Sequence, residues 1–314
     1  DSGESSDYDG DGIGDNTDTD DGVWAYLNSG GEVTITGCSG TCPSELTLVS
    51  TVIGLPVVSV GDSAFSEQGL TSLVVPDGIT RLGASAFSDN QLSSVTIADS
   101  VIIIGDYAFF ENALLQSIQL PSNIESIGYA VFYNNALTSI NIPSSVVSIG
   151  DYAFRGNKLT NITIPDSVSR IGEFAFALNL ELTSAVLSSS LEKIELGAFY
   201  QSALSSIDIP SSVTSIGDYA FFENKALQDV QFSDGLLSIG YAAFYDNAIT
   251  SINMPDSIIS IGDYAFRGNK LINITLSDSI NNIGAYAFAA NSELVRASFL
   301  GDRPSFGDYP FSFN

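Results

Sequence analysis

Residues 137–157 read LTSINIPSSVVSIGDYAFRGN, and this stretch decides the architecture. Leu137, Ile140 and Ile142 mark a short strand, with Ile140 and Ile142 pointing inward at the period of two that a strand requires. Pro143 ends it, because proline has no N–H to give to a ladder. Val146 and Ile149 turn apolar side chains inward again on the return side. Gly150 is expected to make a sharp bend with positive φ. Ala153 and Phe154 then fill the core. Asn157 lies in the loop before the next strand, where its amide can satisfy loop backbone groups of neighbouring turns.

The phrase recurs along most of the chain. Its phenylalanine falls at Phe65, Phe87, Phe109, Phe132, Phe154, Phe176, Phe199, Phe221, Phe244, Phe266, Phe288 and Phe311, at intervals of 22 or 23 residues. The extra residue of a longer interval falls after the asparagine, as between Asn112 and Leu115. No single turn can bury its apolar face alone, so such a period means stacked turns. A longer period lies above it: IGDYAFFEN occurs at 104–112 and 216–224, and IGDYAFRGNKL at 149–159 and 261–271. Five turns are thus duplicated as a block, 88–199 and 200–311. That extends a surface and does not build one catalytic centre.

The repeat resembles the BspA-like bacterial surface leucine-rich-repeat family over about 255 residues. The resemblance implies a repeat solenoid, a leucine-rich-repeat right-handed β-solenoid of about twelve turns. A parallel sheet would form one face, with short strands and helical turns on the other. It also implies a secreted or cell-surface bacterial protein with a role in adhesion. Many members of the family carry Cys where this chain has the repeated Asn, so free-thiol chemistry at that step is absent here.

Composition narrows the function. The chain has 10 Lys and Arg against 37 Asp and Glu, a net charge of −27. It repels phosphate backbones, so no nucleic acid is expected. No apolar run reaches the roughly 18–20 residues that cross a bilayer, so no membrane insertion is expected. Histidine is absent, which removes Ser-His-Asp and Cys-His catalysis and His-ligated zinc.

Residues 1–22 hold nine of the acids and form an acidic linker. Asp7, Asp9 and Asp11 alternate, Gly12 follows, and Asp15 and Asp18 complete the spacing of a calcium loop, with the Ile13 carbonyl as a further ligand. The stretch DYDGDGIGDNTDTDDG resembles a thrombospondin type-3 repeat, which implies structural calcium. Residues 23–56 read as an N-terminal cap, and residues 57–314 as the solenoid proper. In GCSGTCP, Cys38 and Cys42 are placed to close a small disulfide loop, which implies an oxidising compartment.

Outward strand positions form two rows of short polar groups. Asn141, Thr163, Asp208 and Asn253 lie in one, and Asp229 lies in the other. Asp208 and Asp229 are expected close together on adjacent turns. Two basic pairs, Arg155 with Lys158 and Arg267 with Lys270, recur at the 112-residue offset. Aromatic residues follow the bend glycine and the core phenylalanine and are expected to stack, half buried, between turns. Together these features describe a non-catalytic binding module, a monomeric solenoid that recognises an extracellular protein or glycan. A structural spacer within a larger surface protein, and a solenoid polysaccharide hydrolase, are the alternatives.

Overall fold

The computed structural model describes residues 23–302 and 304–314. The calcium-loop residues Asp7, Asp9, Asp11, Ile13, Asp15 and Asp18 lie outside the described residues. The chain divides into two compact units, Asp1–Leu137 and Thr138–Asn314. Each is a parallel β-solenoid, and together they carry about twelve turns.

In the first unit an antiparallel hairpin, Trp24–Ser29 with Glu32–Cys38, precedes the turns. Its second strand pairs in parallel with Leu55–Val60, which begins the column formed by Leu55–Val60, Arg81–Leu82 and Ile103–Ile104. Trp24 stands edge-on to Phe65 at 6.2 Å and closes that end of the phenylalanine column. Cys38 and Cys42 are disulfide-bonded, with Cα atoms 5.5 Å apart. A second column pairs Glu45–Thr47, Ser72–Val75 and Ser94–Ile97.

The second unit repeats both columns. Lys193–Ile194, Ser215–Ile216, Ser238–Ile239, Ser260–Ile261, Asn282–Ile283 and Ser305–Phe306 pair in sequence as two-residue strands. The other column appears as separate pairs, such as Asn161–Thr163 with Ser184–Val186. No helix occurs among the described residues. The return side is built from hydrogen-bonded turns, so the helical turns expected there are replaced by a tighter device.

That device also corrects the expectation for Gly150. Positive φ falls two residues later, at Tyr152 (60°), and again at Gly156 (71°). The same two steps are left-handed in turn after turn, as at Tyr107 with Glu111 and Tyr219 with Glu223. Ala153 N–H donates back to the Gly150 carbonyl, so the positive φ sits at the third residue of a tight turn, as a type II turn requires. The bend glycine is needed for space. A Cβ on Gly83 or Gly262 would enter the backbone of the preceding turn. Glu195 occupies this step in one turn, where it pairs with Lys193 at 2.7 Å. Two residues on, Gly197 lies directly under the Phe174 ring.

The core is a column of buried phenylalanines. In the first unit Phe65, Phe87, Phe109 and Phe132 stack at 5.6 Å. In the second unit Phe154 through Phe311 stack at 5.1–5.6 Å. Beside it runs the asparagine step. Asn90 Nδ2 donates to the Phe65 carbonyl of the preceding turn at 2.8 Å, and its Oδ1 accepts the Leu70 N–H at 2.9 Å. Asn269 does the same with the Phe244 carbonyl and the Ile249 N–H.

Loop length decides whether that second bond forms. Where one extra residue follows the asparagine, the next leucine's N–H donates to that asparagine's own carbonyl, as Leu115 to Asn112 and Leu227 to Asn224. Asn135 and Asn247, one turn later, keep the bond to a phenylalanine carbonyl, but their buried Oδ1 atoms have no partner. At a third long loop, Leu182 N–H donates to the Asn179 carbonyl. There Ser202 replaces the next asparagine, and its Oγ donates to the Phe176 carbonyl at 3.2 Å.

This gives a prediction. Asn247→Ser removes an unpartnered acceptor and recreates the Ser202 arrangement, so it costs less than about 1 kcal/mol. Asn269→Ser strands the buried Ile249 N–H and costs about 1–3 kcal/mol. Urea midpoints of the two variants check the order, and exchange of the Ile249 amide checks the cause.

Candidate functional site

The residues that follow each bend glycine build an edge that is both acidic and aromatic. An aspartate directly after the glycine accepts the N–H of its counterpart in the next turn. Asp62 takes Ala84 at 2.8 Å, Asp106 takes Tyr129 at 2.8 Å, Asp218 takes Tyr241 at 2.7 Å and Asp263 takes Ala285 at 2.7 Å. These carboxylates thus tie turns together and also leave the edge negative.

The left-handed residue that comes next carries a ring in most turns. Tyr264 stacks on Tyr286 at 5.2 Å with planes 15° apart, and Tyr152 on Phe174 at 5.5 Å. The rings after the core phenylalanine form a parallel row, with Phe110 on Tyr133 at 5.0 Å and Tyr200 on Phe222 at 5.0 Å. The expected half-buried stacking is therefore present. Two rings break it. Tyr129 and Tyr241 sit one residue early, directly after Gly128 and Gly240. They meet Tyr107 and Tyr219 at 5.0 and 5.1 Å, tilted by 51° and 61°. Sequence reading overlooked this pair because it followed the two commonest aromatic steps. The signal was present, since both tyrosines lie at the 112-residue offset.

The basic pairs divide. The Arg155 guanidinium lies over Tyr152 and Phe174 at 5.6 and 5.8 Å, and that of Arg267 over Tyr245 and Tyr264, both at 5.7 Å. Lys158 and Lys270 are exposed. Arg170 reaches Asp151 at 2.9 Å.

On the polar rows Asn141, Thr163, Asp208 and Asn253 are exposed, as is Asp229. Register places Asp208 opposite Gln231 and Asp229 opposite Ser206, so the two carboxylates are diagonal and not opposed. Gln231 Nε2 donates to Asp229 at 2.7 Å. No strand forms at 139–142 or 251–254, so Asn141 and Asn253 stand on irregular backbone. These are the turns whose asparagine Oδ1 is orphaned, and both follow a lengthened loop. No group of three or more Asp, Glu, Cys or His side chains among the described residues is arranged to hold a metal.

Burial raises the pKa of Tyr241 above the usual phenol range, reinforced by Tyr219 through charge and a hydrogen bond, and by Tyr264 and Asp263. Burial also raises that of Tyr200; Glu223 and Tyr219 add to the effect and Arg155 opposes it. Asp166, on the polar side of the turns, is lowered by the backbone N–H and then the hydroxyl of Ser189.

Parallel turns of 22 or 23 residues stacked on a phenylalanine column define a repeat solenoid. The comparisons with known proteins make the class specific. The family model of the BspA type leucine-rich repeat region matches residues 42–158, 110–225, 147–259 and 222–314, and the chain belongs to that family. No curated protein matches the sequence.

Among solved structures, a leucine-rich repeat protein from Bacteroides ovatus is 25% identical, with a TM-score of 0.69 over 92% of this chain and 78% of that one. A leucine-rich cell-surface protein from Faecalibacterium prausnitzii is 28% identical, with a TM-score of 0.52 over 90% of this chain and 94% of that one. The pneumococcal vaccine antigen PcpA, 22% identical with a TM-score of 0.63 over 91% and 83%, shares the fold.

The two raised phenols set an alkaline limit. A phenol whose folded pKa exceeds its unfolded value of about 10 contributes stability that is complete below that value. The contribution is lost as pH rises through the folded pKa. Absorbance titration at 295 nm is expected to show late-ionising tyrosines, reduced in number by Tyr200→Phe and Tyr241→Phe.

Proposed function

We propose that this chain is a non-catalytic binding module, secreted or displayed on a bacterial surface, that holds a protein partner through the solenoid surface. The observation that carries the reading is the edge itself. Aromatic rings and carboxylates recur at fixed spacing on a scaffold whose backbone is tied turn to turn, and aromatic side chains anchor protein interfaces at low entropic cost. The likeness to a cell-surface protein of Faecalibacterium prausnitzii supports the location. No helix among the described residues is long and apolar enough to cross a membrane.

A protein partner fits better than a glycan. Sugar C–H groups pack on the electron-rich face of a ring. Tyr264 and Tyr286 stack on each other, so each has one face covered by the neighbouring ring. The hydrolase alternative has less support, since Asp208 and Asp229 stand diagonally on an open sheet face. A spacer would not require the ring rows to be half open.

The full chain, immobilised, is to be titrated with purified extracellular-matrix proteins, a glycan array and soluble polysaccharides. Saturable binding of a protein without glycan capture is expected. Glycan binding alone, or release of reducing sugar, overturns the reading.

Calcium belongs to the same proposal. Asp7, Asp9, Asp11, Asp15 and Asp18, with the Ile13 carbonyl, supply the oxygens a hard cation takes, and extracellular modules bind calcium at roughly 10⁻⁴–10⁻³ M or tighter. Calorimetry is expected to give calcium heat for the full chain and none for a variant carrying Asn at the five aspartates; equal heats from both would refute the site.

A further inference from the structure

The acidic, aromatic edge is already occupied by cations in several turns, by arginine in four places and by Lys193 and Lys225 beside Glu195 and Glu223. Arg170 donates to Asp151 at 2.9 Å, and Arg81 approaches Asp62 at 4.0 Å. Arg155 and Arg267 lie over ring pairs of the same edge at 5.6–5.8 Å. The chain's own guanidinium groups therefore show two things the edge accepts, a planar cation on a carboxylate oxygen and a planar cation over an aromatic face.

Asp106, Asp218 and Asp263 have no arginine at the corresponding step of the next turn, and at Asp263, where that residue is Asn282, Arg267 lies over the adjacent Tyr264 ring. In the turn after Asp106, Ser126 stands at the step that Arg81 and Arg170 occupy. In the turn after Asp218 the residue is Ser238. Tyr129 and Tyr241 are added beside them, 37% and 38% exposed and tilted away from the stack. Phe110 and Phe222 wall each place, edge-on to Tyr107 and Tyr219 at 5.7 and 5.6 Å. Glu111 and Glu223 add a second carboxylate. Each already accepts an amide, from Asn134 and Gln201, and Lys225 stands 3.7 Å from Glu223.

We infer that these twin places, Asp106 with Tyr107 and Tyr129, and Asp218 with Tyr219 and Tyr241, are docking sites for arginine side chains of a basic protein segment. The inference rests on the binding-module reading and names the chemistry of its partner. A chain with net charge −27 draws such a segment over long range. The exposed part of each tilted ring offers the guanidinium aromatic surface, and the aspartate has a second oxygen for it beside the one that holds the next turn's N–H. Arginine is preferred to lysine because its planar group meets both at once. The duplication supplies two such sites, so a segment with several arginines gains wherever its reach allows both to be filled.

The test uses the full chain and fluorescein-labelled peptides of sequence (Gly-Arg)₃-Gly, with a citrulline peptide as the neutral isostere, read by anisotropy at low salt. Tyr129→Ser with Tyr241→Ser is expected to raise the arginine-peptide Kd at least fivefold, and Asp106→Asn with Asp218→Asn to do the same while keeping the acceptor for the next turn's N–H. Tyr129→Phe with Tyr241→Phe keeps the ring and is expected to stay within twofold. Asp77→Asn with Asp256→Asn changes net charge equally, at exposed aspartates elsewhere, and is also expected to stay within twofold. Citrulline binding as tight as arginine, or equal losses in the two aspartate variants, overturns the inference. These isotherms need no natural partner, so their failure is distinct from failure to find one.

Discussion

A buried asparagine amide, repeated in most turns, ties this solenoid together. Each turn leaves the carbonyl of its core phenylalanine and the N–H that begins the next strand pointing along the stack, away from water. An unpaired group of that kind costs about as much as a hydrogen bond contributes. Asparagine carries a donor and an acceptor on one rigid end, so it answers both, with Nδ2 on the carbonyl and Oδ1 on the N–H, as Asn90 and Asn291 show.

The extra residue in some loops shows what happens when half the task disappears. The N–H turns to its own loop, and Asn135 and Asn247 are left with a buried acceptor that nothing meets. Ser202 shows a second solution, with one hydroxyl for one carbonyl. The strand column also lapses at 117–120, 139–142 and 251–254.

The spacing of Phe and Asn made the solenoid legible, because only stacked turns bury a 22-residue phrase. The close spacing of Cys38 and Cys42 in GCSGTCP likewise made their disulfide legible. The reason for the bend glycine was hidden, because sequence does not distinguish a residue chosen for φ from one chosen for lack of volume. Tyr152, at positive φ, would have been rejected on propensity, yet three inter-turn bonds around it hold it there. Asp208 and Asp229 were read into separate rows, and the register keeps them so, with Asp208 opposite Gln231 and Asp229 opposite Ser206. The aromatic edge was read as two rows. Its interruptions, Tyr129 and Tyr241, carry the chemical distinction.

The hydrogen bonds between turns run along the stack in each unit, from Phe154 to Ala175, Phe176 to Ala198 and Phe199 to Ala220. Tension applied along that direction would load them one turn at a time, as a zipper is loaded, and not all at once as in a sheared sheet. Each turn that gave way would pay out 22 or 23 residues, roughly 75 Å of extended chain. A protein made this way yields in small, equal instalments, dissipating work at every step while the turns behind the break keep their shape.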